Sequence, residues 1–147
     1  MKSDRGFTLI EIVVVIAIMG ILAATAMPVY HRVKQRTHGS EAKVMLKQIM
    51  NAEIAYFLDN DKFFPPNMGD TIVIAHIDPP NKMEISQVKN GLNLTIPVGH
   101  SLDFTIQHTP VGCLVTISSR QNAFPLFKDG STSITALLDD EGKIVYL

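Results

Sequence analysis

The chain has few of the residues that cross-link a small domain or give it a strong charge. Only one of its 147 residues is cysteine, Cys113, which excludes an intramolecular disulfide. Charged residues make up 18% of the chain, and 13 Lys+Arg against 14 Asp+Glu give a formal net charge of −1. Because positive and negative residues are nearly equal in number, the chain has no overall attraction to nucleic acid or to an acidic membrane surface. No specific nucleic-acid partner is therefore predicted.

Charge is scarcest near the N terminus, where Glu11 is the only charged residue between Phe7 and Val29. Lys2, Asp4 and Arg5 precede this apolar stretch. About 20 apolar residues form a helix of roughly 30 Å, which is long enough to cross a bilayer. The segment is therefore predicted to span a membrane.

A basic start followed by an apolar stretch is also typical of a secretory signal peptide, and Ala24-Thr25-Ala26 fits the small-residue cleavage pattern of such peptides. In that interpretation the mature chain begins at Met27 and is a soluble exported binding protein or enzyme. A simple membrane anchor is a further alternative. Neither explains Glu11, because a carboxylate at membrane depth costs about 2.5 kcal/mol or more and is rarely kept without a function.

The run Arg5-Gly6-Phe7-Thr8-Leu9-Ile10-Glu11 resembles the processing site of type IV pilins and the related pseudopilins. The resemblance implies that a prepilin peptidase cuts between Gly6 and Phe7 and methylates the new amino group, so that the apolar helix stays in the product. Glycine suits such a site because it lets a protease approach the backbone closely. Pro28 lies where pilins commonly have a proline in this helix.

For Glu11, the resemblance implies a role in assembly. The freed amine of Phe7 is a cation and Glu11 an anion, both at membrane depth, so pairing between neighbouring subunits would satisfy both charges. The expected product is a helical homopolymer. Its subunits would be held in the inner membrane, in contact with lipid and with the head in the periplasm, until the inner-membrane machinery assembles them into an extracellular pilus.

Past Pro28, the helix is predicted to become amphipathic. Apolar residues recur at spacings of three and four, while Lys43, Lys47 and Glu53 lie off that stripe, which is predicted to pack on a domain. The stripe consists of Ala42, Met45, Ile49, Ala52 and Tyr56. One helix is expected from Phe7 to about Leu58, with a kink or local opening between Gly20 and Pro28 and a possible interruption at Gly39-Ser40.

Beyond the helix the apolar period changes to two, which predicts strands. The predicted strands are 71–75, 92–96, 102–106, 113–117, 134–138 and 143–147, with a hairpin through Thr109-Pro110-Val111-Gly112. The fold class is thus α+β, a long N-terminal helix packed on a C-terminal antiparallel sheet. The predicted divisions are a removed leader (1–6), a transmembrane or filament-core helix (7–29), an amphipathic helix (30–58) and a head (59–147).

Other candidate sites are weaker. Asp139, Asp140 and Glu141 are calcium candidates, because major pseudopilins bind calcium through late acidic residues, but three adjacent acids before Gly142 fit a hairpin turn better. The five histidines, His31, His38, His76, His100 and His108, lack paired-ligand spacing. Neither His100-Ser101 nor Cys113 has the sequence context of a nucleophile. No metal, cofactor or enzymatic activity is predicted.

Within the resembling family, a pseudopilin of a type II secretion system and a minor pilin remain alternatives to a major pilin, since all share this N terminus. The single cysteine departs from the many pilins that close a C-terminal loop with a disulfide.

Overall fold

A computed structural model describes residues 7–75, 82–97 and 101–147. The predicted leader, His76 and His100 lie outside these residues. The described chain divides into two compact units, one ending at Lys34 and the other covering Gln35–Leu147. Helix α1, Leu9–Asn60, contributes to both.

Helix α1 confirms the predicted long N-terminal helix, but it contains no interruption. Pro28 and Gly39 both lie within a continuous run of α-helix, so the predicted local opening near Pro28 is wrong, whereas the alternative of a kink between Gly20 and Pro28 stays a prediction. Proline removes a single backbone donor, and membrane-type helices tolerate that loss when the neighbouring turns keep theirs. Gly39 has a packing reason, because a Cβ atom there would collide with the carbonyl of Leu126.

The second unit contains a five-stranded antiparallel sheet in the order β1-β2-β3-β4-β5. The strands are β1 Thr71–Ile74, β2 Leu102–Thr109, β3 Gly112–Ser119, β4 Ser133–Leu138 and β5 Ile144–Tyr146. The predicted β2–β3 hairpin is confirmed, with Thr109 opposite Gly112, whose φ of 135° favours glycine. The α+β fold class is therefore confirmed.

The predicted strand over 92–96 is wrong. Leu92 is the last residue of a second helix, α2, Lys82–Leu92, and the other residues of 92–96 follow it. Within α2, Ile85, Val88 and Leu92 pack at helical spacing on the core. Asn93 has a positive φ of 49°, a conformation that asparagine tolerates and that ends helices. Ile96 is buried nonetheless, so the alternation in the sequence reflects burial of an irregular segment.

One apolar core joins the C-terminal part of α1 to the sheet. From the predicted stripe, Ala42, Met45 and Ile49 are buried, and Ala52 and Tyr56 pack partly buried against the core. Phe104, Val115 and Ile117 of β2 and β3 belong to the same core. The placement of Glu53 off the stripe is wrong, because this side chain is completely buried.

Candidate functional site

The N-terminal part of α1 has no core of its own. Every residue from Phe7 to Lys34 is exposed. Among the residues described, α1 is the one helix whose length and apolar composition allow it to cross a membrane, and its apolar window is entirely unburied. An exposed apolar surface of this extent requires lipid or another protein surface to cover it.

Glu11 is held by the start of the helix. The backbone N–H and the hydroxyl of Thr8 both donate to Glu11 Oε2 at 2.8 Å, and Glu11 N–H approaches Thr8 Oγ1 at 3.4 Å. Thr8 precedes the first helical residue, Leu9, so this is a capping box of the pattern Thr-x-x-Glu. The pattern is visible in the sequence as Thr8 and Glu11, three positions apart.

The cap orients the carboxylate as well as stabilising the helix end. All three contacts involve Glu11 Oε2 or the Thr8 hydroxyl. Among the described residues, Oε1 accepts no hydrogen bond. A preset carboxylate with a free oxygen can accept a bond from an external cation without first being ordered. Capping and charge pairing are therefore compatible roles for Glu11.

The other predicted assembly residues, Phe7 and Pro28, lie in the same exposed N-terminal segment. Phe7 lies just before the helix, in no regular structure, and its side chain is 85% exposed. Its predicted cleavage partner Gly6 lies outside the described residues. Pro28 is exposed on α1. The only hydroxyl of the apolar segment beyond Thr8, that of Thr25, donates to the Leu22 carbonyl at 2.9 Å, which satisfies a polar group that would be costly in hydrocarbon.

In the head, the calcium candidates form the turn between β4 and β5. Asp139 Oδ1 accepts the Lys143 N–H at 2.7 Å, and the Asp139 carbonyl accepts the Gly142 N–H at 3.1 Å. Over the described ranges, no group of three or more His, Cys, Asp or Glu side chains is arranged to hold a metal ion. The turn accounts for Asp139 without a ligand.

Sequence reasoning missed the most unusual polar group of the head, Glu53. Its Oε2 accepts the Phe64 N–H at 3.1 Å, and Cys113 lies beside it. Burial raises the pKa of Glu53 to about 8. Burial also raises the pKa of the Cys113 thiol well above its ordinary value, so this thiol is protonated and unreactive. In the sequence, Glu53 and Cys113 are single residues of two separate segments, and nothing there reveals that they meet.

Comparison with known proteins supports the interpretation of the N terminus. Residues 1–27 match the family model of the prokaryotic N-terminal methylation motif. The chain is 45% identical over 60 residues to the type IV major pilin protein PilA of Myxococcus xanthus, a match covering 41% of this chain and 27% of PilA.

Two Neisseria proteins match a longer part of the chain. A fimbrial protein of Neisseria meningitidis is 38% identical over 90 residues, which is 60% of this chain and 52% of that protein. The type IV major pilin protein PilE1 of Neisseria gonorrhoeae is 37% identical over 90 residues, covering 60% and 54%. The matched segments thus span about half the length of these relatives or less. No solved structure matches the chain.

Proposed function

We propose that this chain, whose N terminus is that of a type IV pilin, is a structural subunit of a bacterial type IV pilus. The observation that carries the proposal is the methylation motif joined to a helix whose apolar residues are all exposed from Phe7 to Lys34. A subunit with this surface has two environments in which it is stable, the bilayer before assembly and the packed helices of a filament afterwards.

The processing step divides the chain as follows. A prepilin peptidase removes residues 1–6 and methylates Phe7, residues 7–29 anchor the subunit in the inner membrane and later form the filament core, and the head of residues 59–147 lies in the periplasm until assembly. The exposed, irregular backbone at Phe7 supports the first step, since a protease needs an extended and accessible segment.

Assembly uses the charge pair between the freed Phe7 amine and Glu11 of an adjacent subunit. Moving the helix from lipid to a helix bundle exchanges one apolar environment for another, so it supplies little hydrophobic driving force. Close packing and this one pair of opposite charges therefore select the axial register. The free Oε1 of Glu11 supports that role.

Electron microscopy of cells that express the chain, with and without its gene, tests this function. Long surface filaments that carry the chain along their length are expected and must disappear when the gene is deleted. A short periplasmic assembly required for protein export would instead indicate a pseudopilin of a type II secretion system. A chain found only at filament tips would indicate a minor pilin.

A further inference from the structure

Glu53 is a carboxyl group enclosed by the head. Its side chain is fully buried, Oε2 accepts the Phe64 N–H, and the Cys113 thiol lies within hydrogen-bonding reach of the carboxyl. Oε1 is buried without a hydrogen-bond partner among the described residues. An ionised carboxylate in that position would be costly, because a buried charge needs a counter-ion or several donors.

Among the described residues, no cation compensates Glu53 from the elements packed around it. On α1 its neighbours one turn away, Ile49, Met50, Tyr56 and Phe57, are apolar or aromatic. From β3 the facing group is the Cys113 thiol. From β2, the ring of His108 contacts Phe63, and its Nδ1 lies 2.8 Å from the Pro65 carbonyl.

The α1–β1 loop, residues 61–70, is the irregular segment packed against Glu53. Its end is joined to β2 by backbone hydrogen bonds, from Gly69 N–H to the His108 carbonyl and from His108 N–H to the Asp70 carbonyl. Nearer Glu53 it is held by the contacts of Phe63 and Phe64: Phe64 N–H bonds to Glu53, the Cys113 thiol donates to the Phe64 carbonyl at 3.6 Å, and Phe63 stacks on Phe57 with ring centroids 4.6 Å apart. This part of the loop can move without breaking a helix or the sheet, so we expect water to reach Glu53 there.

We propose that Glu53 is a proton-operated latch for the α1–β1 loop: the neutral carboxyl holds the loop on the head at Phe64, and the ionised carboxylate releases it. Burial raises the pKa of Glu53 in the closed head from its ordinary value of 4.5 to about 8. The latch is therefore fully closed below about pH 4.5, weakens as the pH rises toward about 8, and weakens no further above that. This inference does not depend on the proposed pilus function.

Amide hydrogen exchange of the full-length chain in detergent micelles, followed residue by residue by NMR, tests the latch. In the wild type, the protection factor of the Phe64 amide should fall by up to about tenfold per pH unit between roughly pH 5 and pH 8 and level off above that, and it should stay well below that of Val115 in β3 at every pH. In Glu53→Gln, which keeps an acceptor for Phe64 but cannot ionise, the Phe64 protection factor should not change with pH. Glu41→Gln, a half-buried acid on the same helix, is the matched control and should behave as the wild type.

Three results would overturn the proposal. Phe64 protection could have the same pH dependence in Glu53→Gln as in the wild type, which would assign it to another group. Phe64 and Val115 could have equal protection at every pH, which would indicate that the Phe64 amide exchanges only by global unfolding and not by a separate opening of the loop. A carbon-13 titration of the Glu53 carboxyl in the wild type, which needs no variant to fold, could show ionisation near the ordinary value of 4.5 with the loop still closed.

Discussion

Two glutamates on helix α1 occupy opposite environments. Glu11 lies among exposed apolar residues, with a hydrogen-bonded Oε2 and a free Oε1, so it can receive a cation from outside the chain. Glu53 lies in the core, where Oε1 is enclosed and burial raises the pKa to about 8. The surroundings, and not the residue type, thus make one acid a candidate for assembly and the other a neutral part of the fold.

The apolar residues of the two parts of α1 differ in the same way. Ile49 is 0% exposed and belongs to the core that α1 shares with the sheet, whereas Ile21 is 67% exposed. Apolar surface contributes to the stability of the subunit only where the subunit itself buries it. The N-terminal surface is therefore available for the proposed anchoring and assembly, whereas the C-terminal surface contributes to the stability of the head.

The largest expected effect concerns Glu11. Both Glu11→Ala and Glu11→Gln should be exported and cleaved almost normally but should produce almost no filaments by electron microscopy. The glutamine variant separates the two roles, because glutamine at this position can still form the capping box but cannot pair with an amine as an anion. Filaments of normal abundance from Glu11→Gln would show that the cap, and not the charge, is what assembly needs.

Thr8→Ala is the matched control for the cap. It removes the hydroxyl bonded to Glu11 but leaves the carboxylate, so it should weaken the helix end by about 1 kcal/mol and reduce filament yield only partly.

The next largest effect compares the buried Ile49 with the exposed Ile21. Ile49→Ala should lower the free energy of unfolding of the head by about 2–5 kcal/mol, because it leaves a cavity in a close-packed core. Ile21→Ala should leave head unfolding unchanged and reduce filament stability instead. Chemical denaturation of the detergent-solubilised chain and heat dissociation of filaments measure the two quantities. Equal effects of both substitutions on head unfolding would contradict the division of α1.

A smaller effect is the pH dependence of head stability, which is expected to come from Glu53 and not from Glu11. The folded pKa of Glu53 is about 8 and its ordinary value is 4.5, so its neutral form stabilises the head fully below about pH 4.5, and this contribution is lost as the pH rises to about 8. The free energy of unfolding should decrease by roughly 2 kcal/mol between about pH 6 and pH 8 in the wild type. Glu53→Gln should remove most of this slope, and an unchanged slope would show that another group titrates.

The sequence predicted the elements whose signal is local and strongly periodic. The structure confirms the long helix, the β2–β3 hairpin and the strands at 71–75, 102–106, 113–117 and 134–138. The helix has a long apolar segment and an apolar stripe, the strands have an apolar period of two, and the hairpin has a suitable turn. The strand at 92–96 failed because two periods overlap there, with Leu92 completing a helical stripe while Leu94 and Ile96 alternate with polar residues.

The candidate site was predictable only in part. The motif around Gly6 and Phe7 is contiguous, so the sequence identifies it directly, and the capping box was equally readable from Thr8 and Glu11. The Glu53 cluster joins α1, the α1–β1 loop and β3, residues separated by up to 60 positions that only the tertiary structure brings together. A charged residue beside an apolar stripe is usually solvated, and that general expectation was wrong for Glu53.

The mass of the mature N terminus, measured on filaments or on membranes of expressing cells, tests the central claim most directly. A chain that begins with N-methylated Phe7 is the predicted result, since it keeps the exposed apolar helix in the assembled protein. A mature chain that begins at Met27 would mean that this helix is discarded on export, and it would contradict the proposed function.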